Sequence, residues 1–261
     1  MFRVVVLLIA TLSLVGCRPP SAPAGDASVH SVDEDRWPSP PAIFGSRTDQ
    51  VEVSLNMDPA MKRYPEPYER LQADAIPRLK AFAAESTAER RRDESTTLAP
   101  YEMRESWAMG GETERLASFE GYESVYGGGA HPDGRAFSIL WDREAQREIE
   151  AGSLFRHGSS SALSALLCRR LIVENQRRDL SLRVDVPLEE YDCPSDVTDI
   201  PFVLAPSTTG TKAAGIVYLL GPYVGGGYAA GTFRIFVPTA ALRPLLADGY
   251  ADQFSENPRR R

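Results

Sequence analysis

The chain reads as an α+β protein, an antiparallel sheet of hairpins with two main helices packed on it and a short helix near the C-terminus. Three observations carry that expectation. Several short runs alternate apolar and polar residues with period two, as in QVEVSLN at 50–56, the pattern of a half-buried strand. Two longer segments repeat apolar residues every three or four positions, which places them on one helical face. Glycine clusters stand among the strand-like runs and let the chain reverse. With 261 residues, 43% hydrophobic and 25% charged, the length suits one full domain, and the composition is neither disordered nor that of a multi-span membrane protein.

Residues 1–17 stand outside that fold. Met1-Phe2-Arg3 is a short basic start, the run VVVLLIATLSL is too short to span a bilayer comfortably, and Leu14-Val15-Gly16-Cys17 follows. The segment resembles a bacterial lipoprotein signal. That resemblance implies cleavage before Cys17, diacylglycerol on its thiol and acylation of the new amino terminus, with each buried CH2 adding about 0.8 kcal/mol of membrane affinity. The alternative is a plain secretory signal whose cleavage point happens to precede a cysteine. Arg18 is not the aspartate that resembles an inner-membrane retention signal, so the implied location is the periplasmic face of the outer membrane. Residues 18–49 are rich in Pro, Ser, Ala and acids, including VDEDRWPSPP, and read as a tether. The folded domain is expected over 50–247 and a C-terminal tail over 248–261, frayed at Arg259 to Arg261.

Within the domain, Val51, Val53 and Leu55 mark the first strand. Tyr68, Leu71, Ala75, Leu79 and Phe82 then mark a helix from Pro67 to about Arg91, which Pro77 is expected to kink or divide. The basic run Arg90 to Arg92 suits a helix C-terminus. Strands follow at 101–109 and 115–126, with Gly110-Gly111 taken as the hairpin turn between them, and another at 136–141. Serines open a second helix over 159–175 as candidate caps, and its stripe is Leu163, Leu166, Leu167 and Leu171. Strands at 202–205, 216–220 and 232–237 precede a short helix from Pro238 through Leu242, Leu245 and Leu246.

A net charge of −7 disfavours nucleic acid and favours basic partners. Once Cys17 carries lipid, Cys168 and Cys193 remain as an even pair in an oxidising compartment; a bridge would pin the loop to the second helix, and two unpaired thiols are the alternative. Two cysteines with no histidine nearby do not suggest a metal site. No cofactor is expected. GGGYAAG at 225–231 fits a relaxed dinucleotide fingerprint, but a strand-like run rather than a helix follows it. There is no G-x-S-x-G elbow and no H-E-x-x-H. His131 with Asp133 or Asp142 could support acid-base work, yet a histidine after glycines more often serves as a hydrogen-bonding residue in a bend, and no catalytic residue is assigned.

Two glycine-rich segments remain. YGGGAHPDG at 126–134 places Gly128, Gly129, Ala130 and His131 where a tight bend needs them, and LLGPYVGGGYAAG at 219–231 places Pro222, Tyr223 and Tyr228 on an irregular loop. Those tyrosines are either displayed for binding or laid over the sheet as a lid.

In this order the segments resemble an extracytoplasmic domain found in RsiV-like lysozyme-sensing anti-sigma factors and beside the catalytic part of PdaC-like peptidoglycan deacetylases. The resemblance spans about residues 50–247. It rests on Tyr126, Gly128, Gly129, Ala130 and His131, then Asp142, Leu154 and Phe155, then Pro222, Tyr223, Tyr228, Ala229, Gly231 and Pro238. It implies a non-catalytic, lipid-anchored envelope protein that captures a lysozyme-like muramidase, whether or not capture inhibits the enzyme. The acidic charge suits such a basic partner. The alternative is an accessory lipoprotein that holds peptidoglycan or another envelope partner.

Overall fold

The computed structural model describes residues 37–92, 99–178, 193–194, 197 and 200–256. The leader of 1–17, Cys17 and most of the expected tether lie outside these residues. The expected α+β class is the one observed, with two sheets in place of one.

The larger sheet has six strands in sequence order: β1 (Ala42–Arg47), β2 (Val51–Met57), β3 (Tyr101–Glu112), β4 (Leu116–Tyr126), β5 (Asp133–Asp142) and β6 (Arg147–Ile149). All neighbours are antiparallel except β2 and β3, which run parallel from Val51↔Tyr101 to Met57↔Trp107. A parallel pair needs a crossover, and helix α1 (Pro65–Arg92) supplies it. The smaller sheet is an antiparallel meander of β7 (Phe202–Pro206), β8 (Ala213–Leu220) and β9 (Phe233–Pro238). Helix α2 (Ser160–Arg177) and the single turn α3 (Thr239–Leu242) accompany it.

Two apolar clusters hold these layers. Val51, Val53, Leu55 and Met57 of β2 and Met103, Phe119 and Trp141 of the neighbouring strands pack under Leu71, Ala75 and Leu79 of α1. Leu163, Leu167 and Leu171 of α2 pack on Phe202, Leu204, Ile216, Tyr218, Phe233 and Ile235. Each large apolar side chain so buried contributes about 1.5–3 kcal/mol. Arg78 of α1 also reaches into the first layer, pairing with Glu123 at 2.8 Å and with Glu105, whose carboxylate takes the Trp107 indole N–H at 2.7 Å.

Several boundaries differ from those expected. Pro77 leaves α1 unbroken, because both it and Ala73, whose carbonyl loses its partner, lie on the exposed side where water can replace the bond. The hairpin of β3 and β4 turns at Thr113 to Leu116, with Thr113 N–H donating to Leu116 O at 2.7 Å. Gly110 and Gly111 instead form an irregularity within β3, where β7 presses against the strand. A Cβ at Gly111 would lie 2.2 Å from Leu204 O, and one at Gly110 would lie 2.6 Å from Val203 Cβ. These glycines serve close approach, not reversal.

Ser118 completes that junction. Its hydroxyl accepts from the N–H groups of Gly111 and Leu204, both at 2.9 Å, and donates to Gly111 O at 3.1 Å. Ser138 likewise accepts from Phe202 N–H at 3.1 Å. Two outward N–H groups of β7, those of Phe202 and Leu204, are thus satisfied by serine side chains of the larger sheet.

Both domain ends extend past 50–247. Strand β1 lies inside the expected tether and is ordered by pairing with β2; as an exposed edge strand it lacks the alternation that would reveal it. At the other end, Gln253 Oε1 accepts from Thr113 Oγ1 at 2.8 Å and Arg115 N–H at 3.0 Å, and Phe254 is buried, so 248–256 packs on the domain in place of forming a separate tail, while Arg259 to Arg261 lie outside the described residues. Ser159 precedes α2 but makes no side-chain capping bond. Cys168 of α2 is bonded to Cys193.

Candidate functional site

The two glycine-rich segments meet. The turn between β4 and β5 occupies 127–132, with Gly128 at φ 86° and Gly129 at φ 118°, conformations open to glycine and strained for other residues. The Tyr126 hydroxyl closes it by donating to Gly129 O at 3.2 Å. His131 leaves this turn and stacks on Tyr228, ring centroids 3.5 Å apart and planes 15° from parallel. Its Nε2 is 3.2 Å from the Tyr223 hydroxyl, and its Nδ1 is 3.2 Å from Pro132 O. With Nδ1 protonated it donates to that carbonyl, leaving Nε2 to accept from the tyrosine. Tyr223 and Tyr228 stand 5.6 Å apart, so three rings form one cluster.

Tyr223 is the exposed member. Its side of the cluster is open, with 59% of the residue accessible, and Val224 beside it is also exposed. Its backbone sits at φ 68°, the left-handed region, at a cost of roughly 1–2 kcal/mol for an L-residue. Strain retained at an exposed aromatic residue points to a role for its display. Neither expected arrangement of the tyrosines is complete, since Tyr223 projects while Tyr228 is half-buried beneath His131.

The loop from Gly221 to Thr232 is held from behind by α2. Asn175 Nδ2 donates to Gly225 O at 3.3 Å, and Arg178 Nη1 donates to Thr232 O at 2.9 Å and Ala230 O at 3.3 Å. The Arg178 guanidinium also lies 4.2 Å from the Phe233 ring centroid. Beneath the loop, Tyr122 of β4 directs its hydroxyl at Gly134, where a Cβ would be 2.0 Å from that oxygen and 3.3 Å from Pro222 Cδ. Burial pushes the Tyr122 hydroxyl above its ordinary pKa, with nearby Tyr228 adding to the rise. Glu120, below Tyr122 on the same face, bonds Arg234 of β9; burial raises its pKa, and the arginine offsets only part of the rise.

Tyr122, Asn175, Arg178 and Arg234 were not singled out by the sequence, and Trp37 stood out only as a tether aromatic with nothing to say where it docks. Each is a lone residue in a tether, strand or helix pattern, and only tertiary packing gives it a role.

Asp142 is not part of this cluster. It lies at the far end of β5 from His131, accepting from Arg115 Nη2 at 2.8 Å and from the N–H groups of Glu144 and Ala145 at 3.0 Å. Among the described residues, no three His, Cys, Asp or Glu side chains converge at metal-binding spacing. At the opposite end of β4, a cavity of about 560 Å³ is bordered by Arg63, Tyr64, Glu66, Trp141 and Arg143. There burial, with a hydrogen bond to Glu112, pushes the Tyr64 hydroxyl up to about 12 and keeps it protonated.

No family model and no curated protein matches the chain. Among solved structures, it is similar to a member of the DUF3298 family from Bacteroides fragilis, with a TM-score of 0.54 at 13% identity over 82% of this chain and 95% of that one. A DUF3298 family protein from Pseudomonas aeruginosa gives a TM-score of 0.45 at 15% identity over 84% and 93%. The first likeness is one of fold.

Proposed function

We propose that the protein is a lipid-anchored envelope protein that captures a lysozyme-like muramidase, with the His131, Tyr223 and Tyr228 cluster as its contact surface. The single observation that carries the reading is Tyr223, exposed in a left-handed backbone and backed by two further rings. A rigidly supported aromatic ring at an exposed loop tip is suited to fill a partner's cleft, because little side-chain freedom remains to be lost on binding. The net charge of −7 favours a basic enzyme and speeds its encounter. The lipid on Cys17 and the placement at the outer membrane rest on the sequence of residues 1–18. Among the described residues no helix is long and apolar enough to cross a membrane.

The test is to mix the purified protein with several lysozymes and measure complex formation and lytic activity. Binding lost in Tyr223→Ala is the expected result, and no complex with any enzyme at tens of micromolar would end the reading. The same exposed ring could instead stack on the sugars of peptidoglycan. Pelleting with purified sacculi in the absence of lysozyme binding would favour that accessory role.

A further inference from the structure

We infer that Trp37 is a positioning residue for this site, a wedge that fixes the bases of both loops where the chain enters the described fold. The inference concerns the surface of the proposed function, but its geometry stands apart from the partner's identity.

Trp37 stacks on Tyr122, centroids 4.7 Å apart and planes 27° from parallel, and the Arg234 guanidinium lies 5.4 Å from the indole centroid. These contacts belong to different sheets. Tyr122 pairs with Ala136 at the base of the His131 turn. Arg234 pairs with Leu219 at the base of the Tyr223 loop. The ion pair of Arg234 with Glu120 ties the same two elements just below. One indole therefore touches the foundations of both loops, and Tyr122 transmits its position to Gly134 and Pro222.

The segment behind the indole is built to hold it there. Pro40 O accepts from Asn56 Nδ2 at 2.9 Å, and Pro41 O accepts from Met57 N–H at 3.1 Å, anchoring the strap to the end of β2. Ala42, Asn56, Ser106 and Tyr122 lie on one rung of the sheet. Crossing three inter-strand gaps of about 4.8 Å requires about 14 Å. The five steps from Ala42 back to Trp37, through Pro41, Pro40 and Pro38, span about 15 Å at about 3.1 Å per extended residue. The strap is just long enough, and its prolines keep it extended. The buried indole N–H has no hydrogen-bond partner among the described residues, so ring stacking and the guanidinium hold the side chain. A phenylalanine would keep the stack and remove the unmatched donor.

Hydrogen exchange on the full chain tests this. Ala230 N–H and Gly231 N–H bond within the loop, to Gly227 O at 2.8 Å and Tyr228 O at 2.9 Å, while Ile216 and Val237 pair at the far end of the same hairpin. Trp37→Ala should speed exchange of the two loop amides about tenfold and leave Ile216 and Val237 unchanged, and Trp37→Phe should behave as the wild type. Three results would overturn the inference: a change below about twofold in the loop, equal acceleration at Ile216 and Val237, or a Phe variant as labile as the Ala variant. Muramidase affinity is measured on the same proteins. A wild type that binds no muramidase sinks the proposed function and leaves the exchange result standing.

Discussion

Replacing Ser118 by alanine removes one oxygen and leaves three buried backbone groups without a partner: Gly111 N–H, Leu204 N–H and Gly111 C=O. A water cannot readily substitute. A Cβ at Gly110 would already lie 2.7 Å from Ser118 Oγ, and Ser118 itself is 0% exposed. Each orphaned buried group costs about 1–3 kcal/mol, and with partial relaxation the three together should cost about 3–5 kcal/mol. In a domain of this size that lowers Tm by about 6–20 °C. Urea unfolding followed by tryptophan fluorescence reads the loss, and Ser138→Ala, which orphans the Phe202 N–H alone, calibrates it at about 1–2 kcal/mol. If Ser118→Ala costs no more than Ser138→Ala, the two sheets are not joined through this hydroxyl and the reasoning fails.

Tyr223→Gly should leave stability within about 1 kcal/mol of wild type despite the lost ring, since relief of the left-handed backbone offsets glycine's extra freedom in the unfolded chain; a larger loss in thermal unfolding would mean that the ring is structural. Replacing Cys168 and Cys193 together by serine opens a link across 25 residues and should cost about 3.5 kcal/mol in urea unfolding; no loss would show the bridge to be dispensable. For Asp142, burial works to raise the carboxyl pKa, but Arg115 and the N–H groups of Ala145 and Glu144 outweigh it and hold the group below its ordinary value. The folded-state pKa is the depressed one, so this stabilisation is complete above about pH 4 and lost as pH falls through the folded value. Asp142→Asn should be less stable at neutral pH and lose less on acidification; parallel profiles of urea midpoint against pH would contradict this.

Much of the fold could be read from local pattern. Val51, Val53 and Leu55 alternate because only one face of β2 meets α1, and the α2 leucines recur because only one side meets the small sheet. What escaped the sequence depends on distant partners. Gly110-Gly111 resembles a turn until β7 is seen pressed against it. Nothing in β2 or β3 announces that they run parallel, since the period of two is the same in either direction. The members of the site were visible as glycine-flanked rings, but the meeting of His131 and Tyr223 spans 92 residues, a separation at which local periodicity carries no information. Asn175 and Arg178 gave no signal, and Trp37 showed only a tether ring without a docking place, because the chemistry that fixes them comes from residues far along the chain.

The contact between His131 and Tyr223 also has a thermodynamic consequence. One ring belongs to the six-stranded sheet and the other to the three-stranded meander, so the surface they form exists only while the two sheets are docked. A molecule that bridges both rings binds that docked arrangement and no other, and mass action makes its affinity part of the inter-sheet stability. At a hundredfold excess over Kd it would add about 2.7 kcal/mol. Occupancy at the loop tips would then be felt at the buried serines that join the sheets, as slower opening of the junction between β7 and β3.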